Sequence, residues 1–155
     1  MQEESVLLHE DLVLIDYEAE NQEQLLINLS EILRQKGYVK NSYVKGILER
    51  ENTFPTGLNT DGIKVAIPHT DAKHVNVPGI LIAKLKNPIV FREMGSDTGR
   101  VEASLIFMMA IKNPEQQVKT LSNLMNIFSK QSILKDIYAS ESPLEVIEKL
   151  KFIMD

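Results

Sequence analysis

The spacing of apolar residues along this chain switches between the helical and strand periods, and each switch marks an element. Leu12, Val13, Leu14 and Ile15 run between Asp11 and Asp16, the pattern of a short buried strand. Leu25, Leu26, Leu29, Ile32 and Leu33 then recur at helical spacing, with Gly37 placed to stop that helix. A second helix is predicted from Ser42, with Tyr43, Val44, Ile47 and Leu48 on one face. Pro55, Thr56, Gly57, Asn59, Asp61 and Gly62 predict a loop after it. The spacing then falls to two. Val65 to Ile67, Ile80 to Leu85 and Ile89 to Phe91 predict strands separated by turn residues. From Val101 to Ile111 one alternate set (Val101, Ala103, Leu105, Phe107, Met109, Ile111) is wholly apolar. The other starts polar at Glu102 and Ser104 and turns apolar at Ile106, Met108 and Ala110. A strand covered on both faces toward its end follows from that pattern.

The C-terminal part returns to helical spacing. Asn113-Pro114-Glu115 combines a cap residue, a proline at the first helical position and an acid in the first turn. Val118, Leu121, Leu124, Met125 and Phe128 predict the buried stripe of that helix. A short helix around Ile133 to Tyr138 follows. Ser142-Pro143-Leu144-Glu145 is a capping box opening a last helix packed through Val146, Ile147 and Leu150. Strands in mid-chain with helices before and after argue for a sheet covered on both faces, an α/β fold.

Composition narrows the function classes. The 155 residues fit a single domain, residues 1–155, large enough to bury a core without staples. The absence of cysteine excludes a disulfide framework, a thiolate zinc site and a cysteine nucleophile. A net charge of -5 without a basic block argues against a nucleic-acid partner. No apolar run reaches the length of a membrane span. The acidic start Met1-Gln2-Glu3-Glu4 lacks the order of a signal peptide, so a cytoplasmic protein is expected.

The candidate chemistry centres on His69, in Gly62-Ile63-Lys64-Val65-Ala66-Ile67-Pro68-His69-Thr70. Proline cannot donate to a ladder, so the strand tends to end at Pro68 and present the next residue at its carboxyl end. That end is where α/β proteins commonly hold ligands. An imidazole there can be a nucleophile, a base, a ligand or a structural ring donating to a carbonyl. Glu51 and Asp71 are expected to be solvated charges, and Phe54 and Leu58 exposed apolar residues beside the histidine.

Arg50-Glu51, Phe54-Pro55-Thr56-Gly57-Leu58 and Val65-Ala66-Ile67-Pro68-His69 together resemble the fructose/mannitol-type enzyme IIA domains. These belong to the phosphoenolpyruvate-dependent sugar phosphotransferase system. Phe54-Pro55-Thr56-Gly57, the second histidine His74 and Asn113-Pro114-Glu115-Gln116-Gln117 look most like the galactitol-type members. The resemblance implies a three-layer α/β/α sandwich around a mixed sheet. It implies that His69 accepts a phosphoryl group from the carrier HPr and passes it to a IIB component, which serves the IIC membrane permease. No metal or small cofactor is implied. Arg50 matches the family's arginine near the active histidine, and a guanidinium can bond two phosphoryl oxygens at once. Gln116 stands where mannitol-type members carry a second histidine. Thr70 could orient the ring or bond a phosphoryl oxygen, and His74 is a further candidate. The residues leave open which ring nitrogen is used.

Two other functions fit. A regulatory protein of nitrogen-IIA type would signal by its phosphorylation state. A metal-binding module would use His69, Asp71 and His74, although a closed site needs about four ligands. The sugar is not legible in the sequence.

Overall fold

A computed structural model describes residues 7–154 of the chain; the acidic start lies outside the described residues. The strands are β1 (Val13–Tyr17), β2 (Gly57–Leu58), β3 (Val65–Ala66), β4 (Gly79–Arg92) and β5 (Arg100–Ala110). Helices α1 (Gln22–Gln35) and α2 (Ser42–Thr53) lie between β1 and β2, and α3 (Pro114–Phe128), α4 (Gln131–Tyr138) and α5 (Pro143–Met154) follow β5. The sheet order is β1-β4-β5-β3-β2. β1 runs parallel to β4 and β3 parallel to β5, while β4 pairs antiparallel with β5 and β2 with β3. The sheet is therefore mixed.

Two apolar layers cover it. One face packs Leu25, Leu29, Leu33, Tyr43 and Ile47 of α1 and α2 against Ala66, Leu81, Ala83, Ile106 and Met108. The other packs Leu124, Phe128, Leu134, Ile137 and Leu150 of α3 to α5 against Val65, Ile80, Ile82, Leu105 and Phe107. The expected α/β/α sandwich is observed, and β5 is buried on both faces along its second half.

Local expectations held where the chemistry is local. Asn113 Oδ1 accepts from the backbone N–H of Glu115 and Gln116 at 2.8 and 3.1 Å, capping α3 ahead of Pro114. Ser142 Oγ accepts from Glu145 N, and the Glu145 carboxylate returns to the N–H of Glu141 rather than to that of Ser142. Gly37 adopts φ +86°, the left-handed conformation that ends α1.

Differences arise where tertiary contacts decide. Ile80 to Leu85 and Ile89 to Phe91 are one strand, β4, with an irregularity between Lys84 and Ile89 where Pro88 cannot donate. Opposite it, the N–H groups of Ser104 and Leu105 both donate to Lys64 O. The alternation of β5 flips there, so Ala103 faces the α1–α2 layer although Leu105 faces the other. Gly57 and Leu58, expected in a loop, form an edge strand paired with β3. On α3, Val118 is 69% exposed and Met125 is exposed, and the buried residues are Thr120, Leu124, Ile127 and Phe128. The buried stripe is rotated to include Thr120 because its hydroxyl accepts from the Gln116 amide, so it enters the interior with a partner.

Candidate active site

Parallel pairing of β3 with β5 brings two chain segments to the same end of the sheet. Beyond β3 comes Pro68-His69-Thr70, and beyond β5 comes the capped start of α3. Pro68 O accepts from Met109 N at 2.9 Å, and Met109 O accepts from the buried Tyr43 hydroxyl of α2 at 2.6 Å. Burial pushes the Tyr43 hydroxyl pKa up, so it remains a donor. The backbone of Met109 thus ties α2, β5 and the histidine loop together.

His69 is half-buried. Its Nδ1 lies 2.9 Å from Ile67 O. A carbonyl oxygen only accepts, so Nδ1 carries the hydrogen and Nε2 keeps its lone pair. Burial lowers the pKa of His69, and the Arg50 charge pushes the same way, while the bond to Ile67 opposes both. The ring is held neutral with one nitrogen occupied.

Arg50 and Phe54 come from the end of α2. The guanidinium carbon lies 4.7 Å from the Phe54 ring centroid, and Nη1 is 3.9 Å from the exposed Asp71 carboxylate. The buried Nε of Arg50 has no hydrogen-bond partner among the described residues. Arg50, Phe54, Thr70, Asp71, Lys73 and His74 contribute to the wall of an open cavity of about 370 Å³; His69 is not among its lining residues. Phe54 is exposed as expected, whereas Leu58 is half-buried against the core.

The remaining predicted residues separate. Thr70 is buried and His74 half-buried, and both press on Gly46 of α2. Nδ1 of His74 is 2.7 Å from Ser42 Oγ. Gln116 turns its amide to Thr120 Oγ1 and lines a different cavity, with Lys112 and Lys119. The α3 side chain that reaches the histidine loop is Gln117, whose amide donates to Thr70 O at 2.9 Å. Among the described residues, no three His, Asp or Glu side chains gather as metal ligands would.

Glu51 corrects an expectation. It is buried rather than solvated, and its carboxylate accepts both the N–H and the hydroxyl of Thr56, at 2.8 and 2.7 Å. Burial raises its pKa, opposed by those two bonds and by Arg92.

The family model described as phosphoenolpyruvate-dependent sugar phosphotransferase system, EIIA 2, matches residues 6–152. The chain belongs to this family. The PTS system galactitol-specific EIIA component of Escherichia coli is 27% identical over 114 residues, 74% of this chain and 75% of that protein. Transcriptional regulator ManR of Bacillus subtilis is 34% identical over 121 residues, 77% of this chain. This chain spans only 17% of the length of ManR. A solved structure, the complex of enzyme IIAMTL and phosphorylated enzyme IIBMTL from Escherichia coli, superposes with a TM-score of 0.75 at 24% identity, covering 94% of this chain and 97% of that one. That likeness confirms the mannitol-type IIA fold.

Within this EIIA domain, two side chains escaped the sequence. Gln117 stands next to the residue singled out, and helical spacing alone does not fix which of two adjacent glutamines faces a loop. Glu51 looked like an ordinary helix-end charge. Its signal was a threonine five positions on, in the loop, able to satisfy a carboxylate twice. The domain is of the EIIA 2 family, and among the described residues no helix is long and apolar enough to cross a membrane.

Proposed function

We propose that this EIIA domain is a cytoplasmic phosphocarrier that takes a phosphoryl group from phospho-HPr on Nε2 of His69. It then delivers the group to a IIB component for uptake of a sugar or sugar alcohol of the galactitol kind. The observation that carries this reading is the bond from Nδ1 of His69 to Ile67 O, which leaves Nε2 as the nucleophile on a half-exposed ring. The Nε2 lone pair attacks phosphorus as the bond from phosphorus to the donor atom of HPr breaks, and that bond's electron pair leaves with HPr. The product is a phosphoramidate on His69, and the second transfer repeats the displacement toward IIB. Proton inventory favours this direction of use: a ring kept neutral by burial needs no deprotonation before attack.

The domain's own contribution is alignment and charge stabilisation. Arg50 is positioned by Phe54 to meet the equatorial oxygens with the exposed end of its guanidinium. Gln117 holds the loop carrying Thr70. Gln116, directed at Thr120, supports that helix turn from the interior side, and Thr70 and His74 shape the wall beside Arg50.

The test is incubation with phosphoenolpyruvate, enzyme I and HPr, followed by mass mapping of acid-labile phosphate. Label on His69, absent from a folded His69→Ala variant, supports the reading; an unlabelled wild-type protein overturns it. The 34% identity to part of ManR favours a second reading, a domain whose phosphorylation state is read by a regulator. Onward transfer to a cognate IIB separates the two.

A further inference from the structure

A single turn of α2 carries both Arg50 and Glu51, and the two side chains lead to the same imidazole by different routes. The Arg50 charge acts on it through space. Glu51 connects to it through hydrogen bonds. The carboxylate holds the N–H and hydroxyl of Thr56; Thr56 O accepts from Ile67 N at 3.2 Å; Ile67 O accepts from Nδ1 of His69 at 2.9 Å. Arg92 secures the same turn from the sheet by donating to the carbonyls of Glu51 and Asn52. Burying a carboxylate is costly unless it is fully bonded, and a packed apolar side chain at this place could close the core without that cost. Instead the chain keeps an acid there and engages both of its oxygens with the residue that orients Ile67.

We propose that Glu51 is a positioning residue for phosphoryl transfer, fixing the Nδ1–H tautomer and the place of the His69 ring through Thr56 and the Ile67 backbone. The linkage is mechanical. The N–H and C=O of Thr56 belong to different peptide units, as do those of Ile67, so no proton or polarisation needs to pass along it. Its effect is to set the separation between the Arg50 side of the site and Nε2, a quantity to which transfer is steeply sensitive. The kinetic part of this inference rests on the phosphocarrier reading above, whereas the tautomer part concerns the unphosphorylated protein.

The experiment compares Glu51→Ala, Glu51→Gln, Thr56→Val and Thr56→Ser with the wild type. The readouts are ¹⁵N chemical shifts of the His69 ring and the rate of labelling by phospho-HPr. Glutamine can accept from Thr56 N–H and donate to its hydroxyl oxygen, so it preserves the geometry without the charge. The wild type and Glu51→Gln should show the Nδ1–H tautomer and rates within about twofold of each other, while Glu51→Ala shows mixed tautomers and a rate at least ~10-fold lower. A folded Glu51→Ala protein with the wild-type tautomer and rate overturns the inference. Should Glu51→Ala not fold, Thr56→Val carries the test: it must move both readouts the same way, by a smaller factor, with Thr56→Ser restoring them. If phospho-HPr fails to label even the wild type, the carrier reading falls, and the tautomer comparison alone still decides the role of Glu51.

Discussion

The side-chain amide of Gln117 donates to the carbonyl oxygen of Thr70 at 2.9 Å, joining α3 to the histidine loop across 47 positions of sequence. Its neighbour Gln116 spends its amide inside the helix, on Thr120. Two adjacent glutamines therefore differ in what they can do for the site. Gln117→Ala should cost about 1 kcal/mol of stability and slow phosphoryl acceptance by roughly 10-fold through a loosened loop. Gln116→Ala should leave the acceptance rate within about twofold of wild type. Rates of labelling by phospho-HPr, read beside denaturant midpoints, check this; the opposite ranking of the two variants would show that the loop is held by other contacts.

The neutral state of His69 has a thermodynamic consequence with a definite sign. Its folded pKa lies below the unfolded value of about 6.5 because burial and Arg50 disfavour the imidazolium. Between those two values the unfolded chain binds more protons than the folded one, so stability rises with pH across that window. The stability is intact above about pH 6.5 and is lost as pH falls toward the folded pKa, with no further loss from this group below it. His69→Gln should flatten that part of the stability profile. Arg50→Ala should move the ring's NMR titration midpoint upward but not to its ordinary value, because burial, the larger cause, remains. A wild-type midpoint above about 6.5 contradicts the assignment.

How far the chain could be read depended on whether a feature is set by neighbours in sequence or by partners across the fold. The Asn113 and Ser142 caps, the Gly37 stop and the strand leading to Pro68 rest on local geometry and were legible. The flip in β5 was not, because the irregularity opposite it, at Lys84 to Ile89, and the shared acceptor Lys64 O, just before β3, belong to other parts of the chain. The Val118 side of α3 looked like core because apolar spacing does not say where the sheet ends; the structure leaves Val118 in solvent and buries Thr120. His69 was proposed from the strand that stops at Pro68 together with motif resemblance, and Arg50 from motif resemblance alone. Gln117 and Glu51 required the fold, since what distinguishes each is a single partner in a loop.

Gly46 illustrates a constraint visible only in three dimensions. It sits inside α2, where replacement of glycine by alanine ordinarily stabilises by about 1 kcal/mol. A Cβ at this position would stand 2.9 Å from Thr70 Oγ1 and 3.0 Å from His74 Nε2. Gly46→Ala should therefore gain nothing in thermal stability or lose some, and it should slow phosphoryl transfer by displacing Thr70 and His74 from the cavity wall. Adding Thr70→Ala removes one of the two contacts, so the double variant should recover part of the stability, a coupling that a double-mutant cycle measures directly. A gain in melting temperature for Gly46→Ala alone would mean that the two side chains move aside freely.

Arg50 has two neighbours, and they predict different things. The ion pair with Asp71 is long, at 3.9 Å, and the carboxylate is 64% exposed, so it should contribute little. The Phe54 ring at 4.7 Å instead restricts where the guanidinium plane can lie. Asp71→Asn should leave transfer within about twofold of wild type. Arg50→Ala should reduce it by ~100-fold, the scale of losing a donor to transition-state charge. Arg50→Lys should recover little, since an ammonium offers neither the planar fork nor the stacking on Phe54. Phe54→Ala should fall between, because the charge survives but its placement does not. Single-turnover transfer from phospho-HPr, with substrate saturation tested for each variant, gives the ranking. If Asp71→Asn proved as damaging as Arg50→Ala, the ion pair itself would be the working element, and Arg50 would serve the loop rather than the phosphoryl group.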